Sequence, residues 1–509
     1  MIIFVYYDIS KEVISMRVML INPETKYNAR SVSIPLGLIS IATYLKTLGH
    51  EVLLLDRTVN KIDMPSEIAK FKPEVAGISV IGHKSMPDAV KISELCKKEG
   101  IPVAWGGPLA SCISDTILKN GYADYVFTGE GELAWEDFLK ALEIGSDISK
   151  INGITYIKDN KIHYNGQHRL ADLSTLPAMD FTMVNPPDYF QKTFGCERML
   201  HVCSAKGCPN HCTFCYNRDF NLSQYRKRPL SQVMEEIRYL VENCSMDGIY
   251  FTDELWANSK EEMLEYCKAF KDSGLNFVWG CQTTAGRFTK EDYKLMYDCG
   301  CRWIFFGIES GSKELLKKLG KTIDFDKIEE TFEYCYDAGI VSIAAFMLGL
   351  PQETEEDLKA TVALANRIKA SYYSVNFFYP VPKSVLCRKM ESETNFRLPE
   401  ESKKLFSQRP VEKLQKGISS IRPLDLKVIR SYYMWQSFTG SNAKADENQS
   451  KFFFAKKTII EALESMLHHG FVNFFVQAFY SGREFLNAVF YAFCFPSVRK
   501  KYGLYKKKK

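Results

Sequence analysis

Residues 207–217 read GCPNHCTFCYN, and three cysteines, Cys208, Cys212 and Cys215, fall within these eleven positions. Structural zinc sites and most protein-bound iron–sulfur clusters take four protein ligands. Three thiolates leave one metal position open, which catalysis requires and a purely structural site avoids. A zinc reading needs a fourth ligand. His211 adjoins Cys212, where it would strain the geometry, and Cys203 is the other candidate.

Outward from this stretch, the chain to about residue 390 alternates strand-like and helix-like segments. The strands lie near MLHVCS, GIYFTDE, FVWGCQTT, WIFFGIES, SIAAFMLGLP and SVNFFYPVP, with helices such as LSQVMEEIRYLVENC and KEEMLEYCKAFKDSG between them. Six βα units predict a partial, TIM-like (β/α)6 barrel over 196–390, closed or partly closed, with the chemistry at the carboxyl ends of its strands.

A second α/β rhythm occupies 17–145. VMLIN, EVLLLD, VAGISVI, PVAWGG and ADYVFTG read as strands separated by helices such as LGLISIATYLKTLG and DAVKISELCKKEG. This predicts a doubly wound, mostly parallel, Rossmann-like sheet. Ligands of such sheets bind beyond the carboxyl ends of the strands, where Asn22, Pro23, Ser79 to His83, Gly106, Gly107, Gly129 and Glu130 fall. Glycines there let a backbone approach a large ligand, although plain turn chemistry explains any single pair.

Residues 1–16 read as an N-terminal extension ahead of the first strand, either upstream of Met16 as a natural start or as a short extra strand. Residues 146–195 read as a linker with a hairpin, ITYIKDNKIHY, and a Pro-rich stretch. Residues 391–509 read as a helical region, rich in Phe and Tyr over 452–495 and ending VRKKYGLYKKKK.

The chain of 509 residues, 46% hydrophobic and 25% charged, supports folded domains. Its net charge of +5 is too small to argue for nucleic acid, and none is expected as a partner. Fifteen cysteines with no secretory signal in MIIFVYYDISKE predict a reducing cytoplasm, where clustered cysteines suggest metal. Others, such as Cys267 and Cys335, sit in helix-like stretches as small core residues.

Cys-x3-Cys-x2-Cys with an aromatic before the last cysteine, here Phe214, resembles the signature of the radical S-adenosylmethionine (SAM) superfamily, and the resemblance covers about 198–390. It implies a [4Fe–4S] cluster on Cys208, Cys212 and Cys215, with the open iron chelated by the amino and carboxylate groups of SAM. One electron then cleaves the sulfonium and makes a 5′-deoxyadenosyl radical. The resemblance also implies cofactor contacts at Asp253 and Glu254 in Thr252-Asp253-Glu254, and at Glu309 and Ser310 in Gly307-Ile308-Glu309-Ser310. Gly349 and Pro351 belong to a run resembling the family's GLPGET, near the adenine. Gln352 replaces the usual glycine there, so the local turn is expected to differ. Each acidic residue alone also suits a helix start.

Residues 17–145 resemble the cobalamin-binding module that precedes the barrel in one branch of this superfamily, through INP at 21–23, PLGLISIATYLKTLGHEV at 35–52, GGPLAS at 106–111 and TGEGE at 128–132. The Asp-x-His-x-x-Gly run that supplies a histidine to cobalt in many such modules is absent. The resemblance therefore implies cobalamin without that histidine, with Asn22, Pro23, Ser79, Gly106, Gly107, Gly129 and Glu130 at its site. His83 ends a strand at the same edge.

Together the two modules imply an enzyme that methylates an unactivated carbon of a small-molecule or lipid-like substrate, drawing electrons from a donor such as flavodoxin or ferredoxin. Radical oxidation or cyclisation without methyl transfer is the competing enzymatic reading, and a non-enzymatic cobalamin or redox sensor a further one. Methylthio transfer to RNA needs three more cysteines in the first domain, which holds Cys96 and Cys112 alone. Gln282, Arg287 and Tyr379 are candidates near the barrel mouth. The segment FVNFFVQAFYSGREFLNAVFYAFCF with the basic end reads either as a helical cap on the barrel or as a peripheral membrane contact.

Overall fold

The computed structural model describes residues 15–25, 32–394, 396, 419–439, 491 and 494–504. The extension expected at 1–16, apart from Ser15 and Met16, and the aromatic segment at 471–495, apart from Tyr491, Cys494 and Phe495, lie outside the described residues. The chain divides into two compact units, one of Met1–Glu24 with Gly37–Val184 and one of Thr25–Leu36 with Asn185–Lys509.

The first unit is built on a seven-stranded sheet of order β2-β1-β3-β4-β5-β6-β7. Its strands are β1 (Arg17–Asn22), β2 (Glu51–Asp56), β3 (Val75–Ser79), β4 (Val103–Gly106), β5 (Tyr125–Phe127), β6 (Ile154–Lys158) and β7 (Lys161–Tyr164). β1 to β5 are parallel. The expected hairpin forms as β6 and β7, and it is not a free connector, because β6 pairs antiparallel with β5 and extends the sheet. The central strands are nearly all apolar because helices cover both faces. Trp135, on the helix Glu132–Ile144, packs so closely on β3 that a Cβ on Gly77 would lie 2.4 Å from its ring. Phe127 and Phe138 meet Trp135 edge-to-face, at ring separations of 5.0 and 5.9 Å. Each such buried side chain contributes about 1.5–3 kcal/mol.

The second unit carries all six expected parallel strands: β9 (Cys196–Val202), β12 (Gly248–Phe251), β13 (Val278–Thr283), β14 (Cys301–Glu309), β15 (Val341–Leu348) and β16 (Tyr372–Phe377). A short β8 (Gln191–Thr193) adds antiparallel to β9, giving the order β16-β15-β14-β13-β12-β9-β8. β16 and β9 do not pair, so the sheet is a curled half-barrel, and of the two expected forms the open one is found. A two-residue ladder, β10 (Ala205–Lys206) with β11 (Arg226–Lys227), brackets the three-cysteine stretch.

Strand alternation sorts the side chains of this sheet onto two faces. Phe251 and Trp279 pack on Tyr266 and Phe270 of the helix Lys260–Asp272. On the concave face Met199, Trp303 and Tyr372 form a cluster with Tyr250 and Ile343 against it.

The helix Pro423–Thr439 packs on β16, and the helix Pro496–Tyr502 docks beside it. The Asp425 carboxylate, fully buried, accepts from Tyr502 Oη at 3.0 Å and faces Lys501 Nζ at 3.3 Å. Asn366 Nδ2 donates to the Gly503 carbonyl at 3.1 Å. Lys501 and Tyr502 are therefore engaged inside the unit, while Lys500 is exposed. No helix among the described residues is long and apolar enough to cross a membrane.

Candidate functional site

β9 ends at Val202, and the chain then makes the cysteine-bearing loop. Gly207 has φ +82°, and a Cβ there would fall 1.9 Å from the Gln224 carbonyl, so only glycine fits. Glu254, beyond the end of β12, braces the loop with both oxygens. Oε2 accepts from Gly207 N at 2.9 Å; Oε1 accepts from Tyr216 Oη at 3.0 Å and Asn221 Nδ2 at 3.1 Å. Asn217 Nδ2 donates to the Cys208 carbonyl at 2.8 Å. The loop is also pinned from above: Thr213 N donates to the Leu319 carbonyl at 2.8 Å, and Leu386 N to the Thr213 carbonyl at 2.8 Å. Phe214 packs against Leu315, Leu319, Leu350, Phe378 and Met390.

Cys212 is buried, Cys208 and Cys215 are half-buried, and none is in a disulfide. Burial raises all three thiols, Cys215 to about 11. Cys212 feels the charge of Cys208, and Cys215 feels both, so the three converge. Yet no three or more His, Cys, Asp or Glu among the described residues gather around a single metal ion. Cys203 is not with them; its Sγ donates to the Ala205 carbonyl at 3.2 Å.

Asp253 is buried and turned toward the chain itself. Its Oδ1 accepts from Ser204 N at 2.7 Å, its Oδ2 from the Ser204 hydroxyl, and Ala205 N donates as well. Burial pushes this carboxyl up to about 7 despite those bonds. Beside it a buried pair, Arg228 and Glu236, carries the Cys203 carbonyl on Arg228 Nη1 at 2.8 Å. Asp253 and Glu254 thus both hold the loop that carries the three cysteines.

Glu309 has φ +68° at a register shift between β14 and β15. Gly307 makes room for it, since a Cβ there would sit 2.6 Å from Glu309 Oε1. The carboxylate lies 3.6 Å from Lys321 Nζ, and the Lys321 charge reaches Cys208 and Cys212, drawing both thiols downward. Gly320 lets this segment pass directly over the loop; a Cβ there would lie 2.8 Å from the His211 carbonyl. Sequence reasoning missed Lys321, which nothing in KELLKKLGK separates from its neighbours.

Ser310 is fully buried, with its Oγ 3.1 Å from Thr361 Oγ1, and fastens the strand end to the helix Glu355–Arg367. Gly349 N donates to Glu353 Oε2 at 2.7 Å, and burial raises the Glu353 carboxyl to about 8. Pro351 is half-buried. Gln352 takes φ +65°, so the turn expected to differ keeps the left-handed conformation a glycine would supply. Of the mouth candidates, Gln282 Nε2 donates to the Asp253 carbonyl at 2.8 Å, Arg287 Nη1 donates to the Asn258 carbonyl, and Tyr379 is half-buried.

In the first unit the order β2-β1-β3 places a topological switch point between β1 and β3, where such sheets bind ligands. Asn22 and Pro23 end β1, and Ser79 ends β3 in register with Gly106 of β4. Asn22 Nδ2 donates to Asp56 Oδ2 at 3.0 Å. Ser111 Oγ donates to the Gly107 carbonyl at 2.9 Å and accepts from Gly129 N at 3.1 Å, tying two loops of this edge together. Beside Ser79, Ile81 is 65% exposed and Gly82 faces open space. An exposed apolar side chain beside small residues suits a large, partly apolar ligand. Gly129 does not offer the open approach its type suggests, because the His168 ring lies 2.2 Å from where its Cβ would be. Glu130 is buried, and His83 opens a short 3-10 turn, held neutral by burial.

Residues 202–365 match the model of the Radical SAM superfamily, and residues 27–139 that of the B12 binding domain. The chain is 26% identical over 433 residues to an uncharacterized methyltransferase of Pyrococcus horikoshii, covering 82% of this chain and 93% of the relative. It is 24% identical to an anaerobic magnesium-protoporphyrin IX monomethyl ester cyclase of Rubrivivax gelatinosus, covering 74% of this chain and 70% of the relative. The fold is similar to that of the radical S-adenosylmethionine methyltransferase TsrM from Kitasatospora setae, solved with cobalamin and a [4Fe–4S] cluster bound. That match has a TM-score of 0.63 at 20% identity, over 74% of this chain and 78% of that one. The chain thus carries a Radical SAM domain with a B12 binding domain ahead of it, and these two domains imply a [4Fe–4S] cluster, SAM and cobalamin as its cofactors.

Proposed function

We propose that this enzyme is a cobalamin-dependent methyltransferase that places a methyl group on an unactivated carbon of a small, largely apolar molecule. The observation that carries the reading is a loop of three converging thiols, in a chain that also holds a B12 binding domain. When bound, the cluster and SAM supply hydrogen-atom abstraction, and cobalamin supplies the methyl group. The chain's own residues bind and position. Cys208, Cys212 and Cys215 hold the cluster, and Glu254, Asn217 and Thr213 fix the loop that carries them. Phe214 closes its apolar side. Glu309 and Lys321 present opposite charges to the zwitterionic end of SAM, while Ser310 and the Gly349–Pro351 turn shape the strand ends around it. Asn22, Pro23, Ser79, Gly106 and Gly107 line the cobalamin edge. Electrons enter from a flavodoxin- or ferredoxin-like donor.

The test is anaerobic reconstitution with SAM deuterated in its methyl group, cobalamin and a chemical reductant. The expected result is one cobalamin per chain, transfer of the label to it, and 5′-deoxyadenosine formation that Cys212→Ala abolishes. Deoxyadenosine with bound cobalamin that never takes up the label would favour radical cyclisation and overturn methyl transfer.

A further inference from the structure

The concave face of the half-barrel carries a polar group that none of the roles above uses. His201 on β9 is the register partner of Tyr250 on β12, Tyr250 of Gly280 on β13, and Gly280 of Trp303 on β14. These four positions form one layer, immediately below the strand ends from which the cysteine loop and Asp253 depart. The His201 ring stands edge-on to Tyr250, with centroids 5.9 Å apart at 89°, and Tyr250 stacks on Trp303 at 6.4 Å and 12°. Gly280 admits the indole, because a Cβ there would lie 2.1 Å from it. In the next layer Gln282 pairs with the half-buried Phe305.

His201 is 9% exposed, and its Nδ1 is enclosed without a hydrogen-bond partner. Burial lowers its pKa to about 4, so the ring is neutral at pH 7 and has one N–H. An enclosed N–H with no acceptor is the costlier orphan, so the proton belongs on Nε2. That nitrogen is not enclosed, and no group among the described residues accepts from it. The layer therefore offers the His201 Nε2–H beside the Tyr250 hydroxyl and the Trp303 indole N–H, all on aromatic rings, and no charged side chain. A charged ligand group would be desolvated there without a counter-ion, whereas a flat uncharged group could stack on the rings.

We propose that His201 anchors the substrate, its Nε2–H donating to a carbonyl-type oxygen on an uncharged ring system that stacks in the layer of Tyr250, Trp303 and Phe305. The identity of this ligand as substrate rests on the function proposed above; the ring-binding layer itself needs no cofactor.

Two near-isosteric probes test it, 2-acetylnaphthalene and 2-isopropenylnaphthalene, which differ in a carbonyl oxygen against a methylene. Their affinities for the full-length reconstituted protein are measured by equilibrium dialysis. Wild type should prefer the ketone about tenfold, one hydrogen bond's worth. His201→Phe, which keeps the ring packing on Tyr250, should bind both probes equally, and His201→Gln, which keeps a donor, should restore part of the preference. No ketone preference in wild type, or the same preference in His201→Phe, would overturn the proposal. Deoxyadenosine formation from SAM without either probe is followed in the same preparations. Its loss with the ketone preference intact would defeat the radical-enzyme reading and leave the anchoring site standing.

Discussion

Glu309 holds a left-handed backbone conformation that costs a non-glycine residue about 1–2 kcal/mol, and the distortion brings its carboxylate to Lys321. Lys321 in turn is the cation whose charge reaches two cluster thiols. Lys321→Met should keep its iron but form deoxyadenosine ten- to a hundredfold more slowly, as measured by iron assay and mass spectrometry on one preparation. Gln352 bears similar strain, and its side chain is exposed. Gln352→Gly should raise the unfolding free energy by up to about 1 kcal/mol in denaturant titration and leave deoxyadenosine formation unchanged. The three cysteines were legible because their spacing is itself the chemistry. Lys321 was not, because its role arises from a glycine-tight crossing over the loop that no local pattern announces. The same holds for Asp253 and Glu254. Their types and position stand out in the sequence, but that their oxygens hold the loop depends on Ser204, Gly207, Tyr216 and Asn221, up to 49 residues away.

At the scale of elements, the loop's root rests on the buried Arg228–Glu236 pair, with side chains 5% and 2% exposed. Breaking such a pair strands a charge in low dielectric and costs about 3–5 kcal/mol. Arg228→Met should therefore be destabilising by that amount and lose bound iron. Arg228→Met with Glu236→Leu should recover most of the loss, in thermal unfolding of the two variants side by side. All six half-barrel strands were legible from alternation, since each has one face on the helices and one on the concave layer. The opening between β16 and β9 was not, because closure depends on how far the whole sheet curls. The hairpin was legible from its turn, yet its attachment to β5 is a long-range pairing that its own residues do not encode. The register shift at Glu309 is hidden for the same reason.

At the scale of the molecule, the two units have separate cores, and global stability reads the buried groups within them. His201 titrates at about 4 when folded, against 6.5 for an exposed imidazole. Between those values the unfolded chain binds a proton that the folded chain refuses. Stability should fall as pH drops from about 6.5 to 4, by up to roughly 3 kcal/mol. The stability difference between wild type and His201→Phe, followed by denaturant titration, should change across that window and be constant above pH 7. The docking of residues 496–504 has a consequence in time. Asp425 waits for Lys501 and Tyr502, 76 and 77 residues further along the chain. The ribosome makes the first unit early, and at about 5–20 residues per second the 320 residues between Val184 and Leu504 (504 − 184) take roughly 15–60 s more. The first unit can fold during that interval, while in the half-barrel Asp425 has Arg422 as its cation from the start and gains Lys501 and Tyr502 late, so the packing around the helix Pro423–Thr439 is the part of this unit that is completed last.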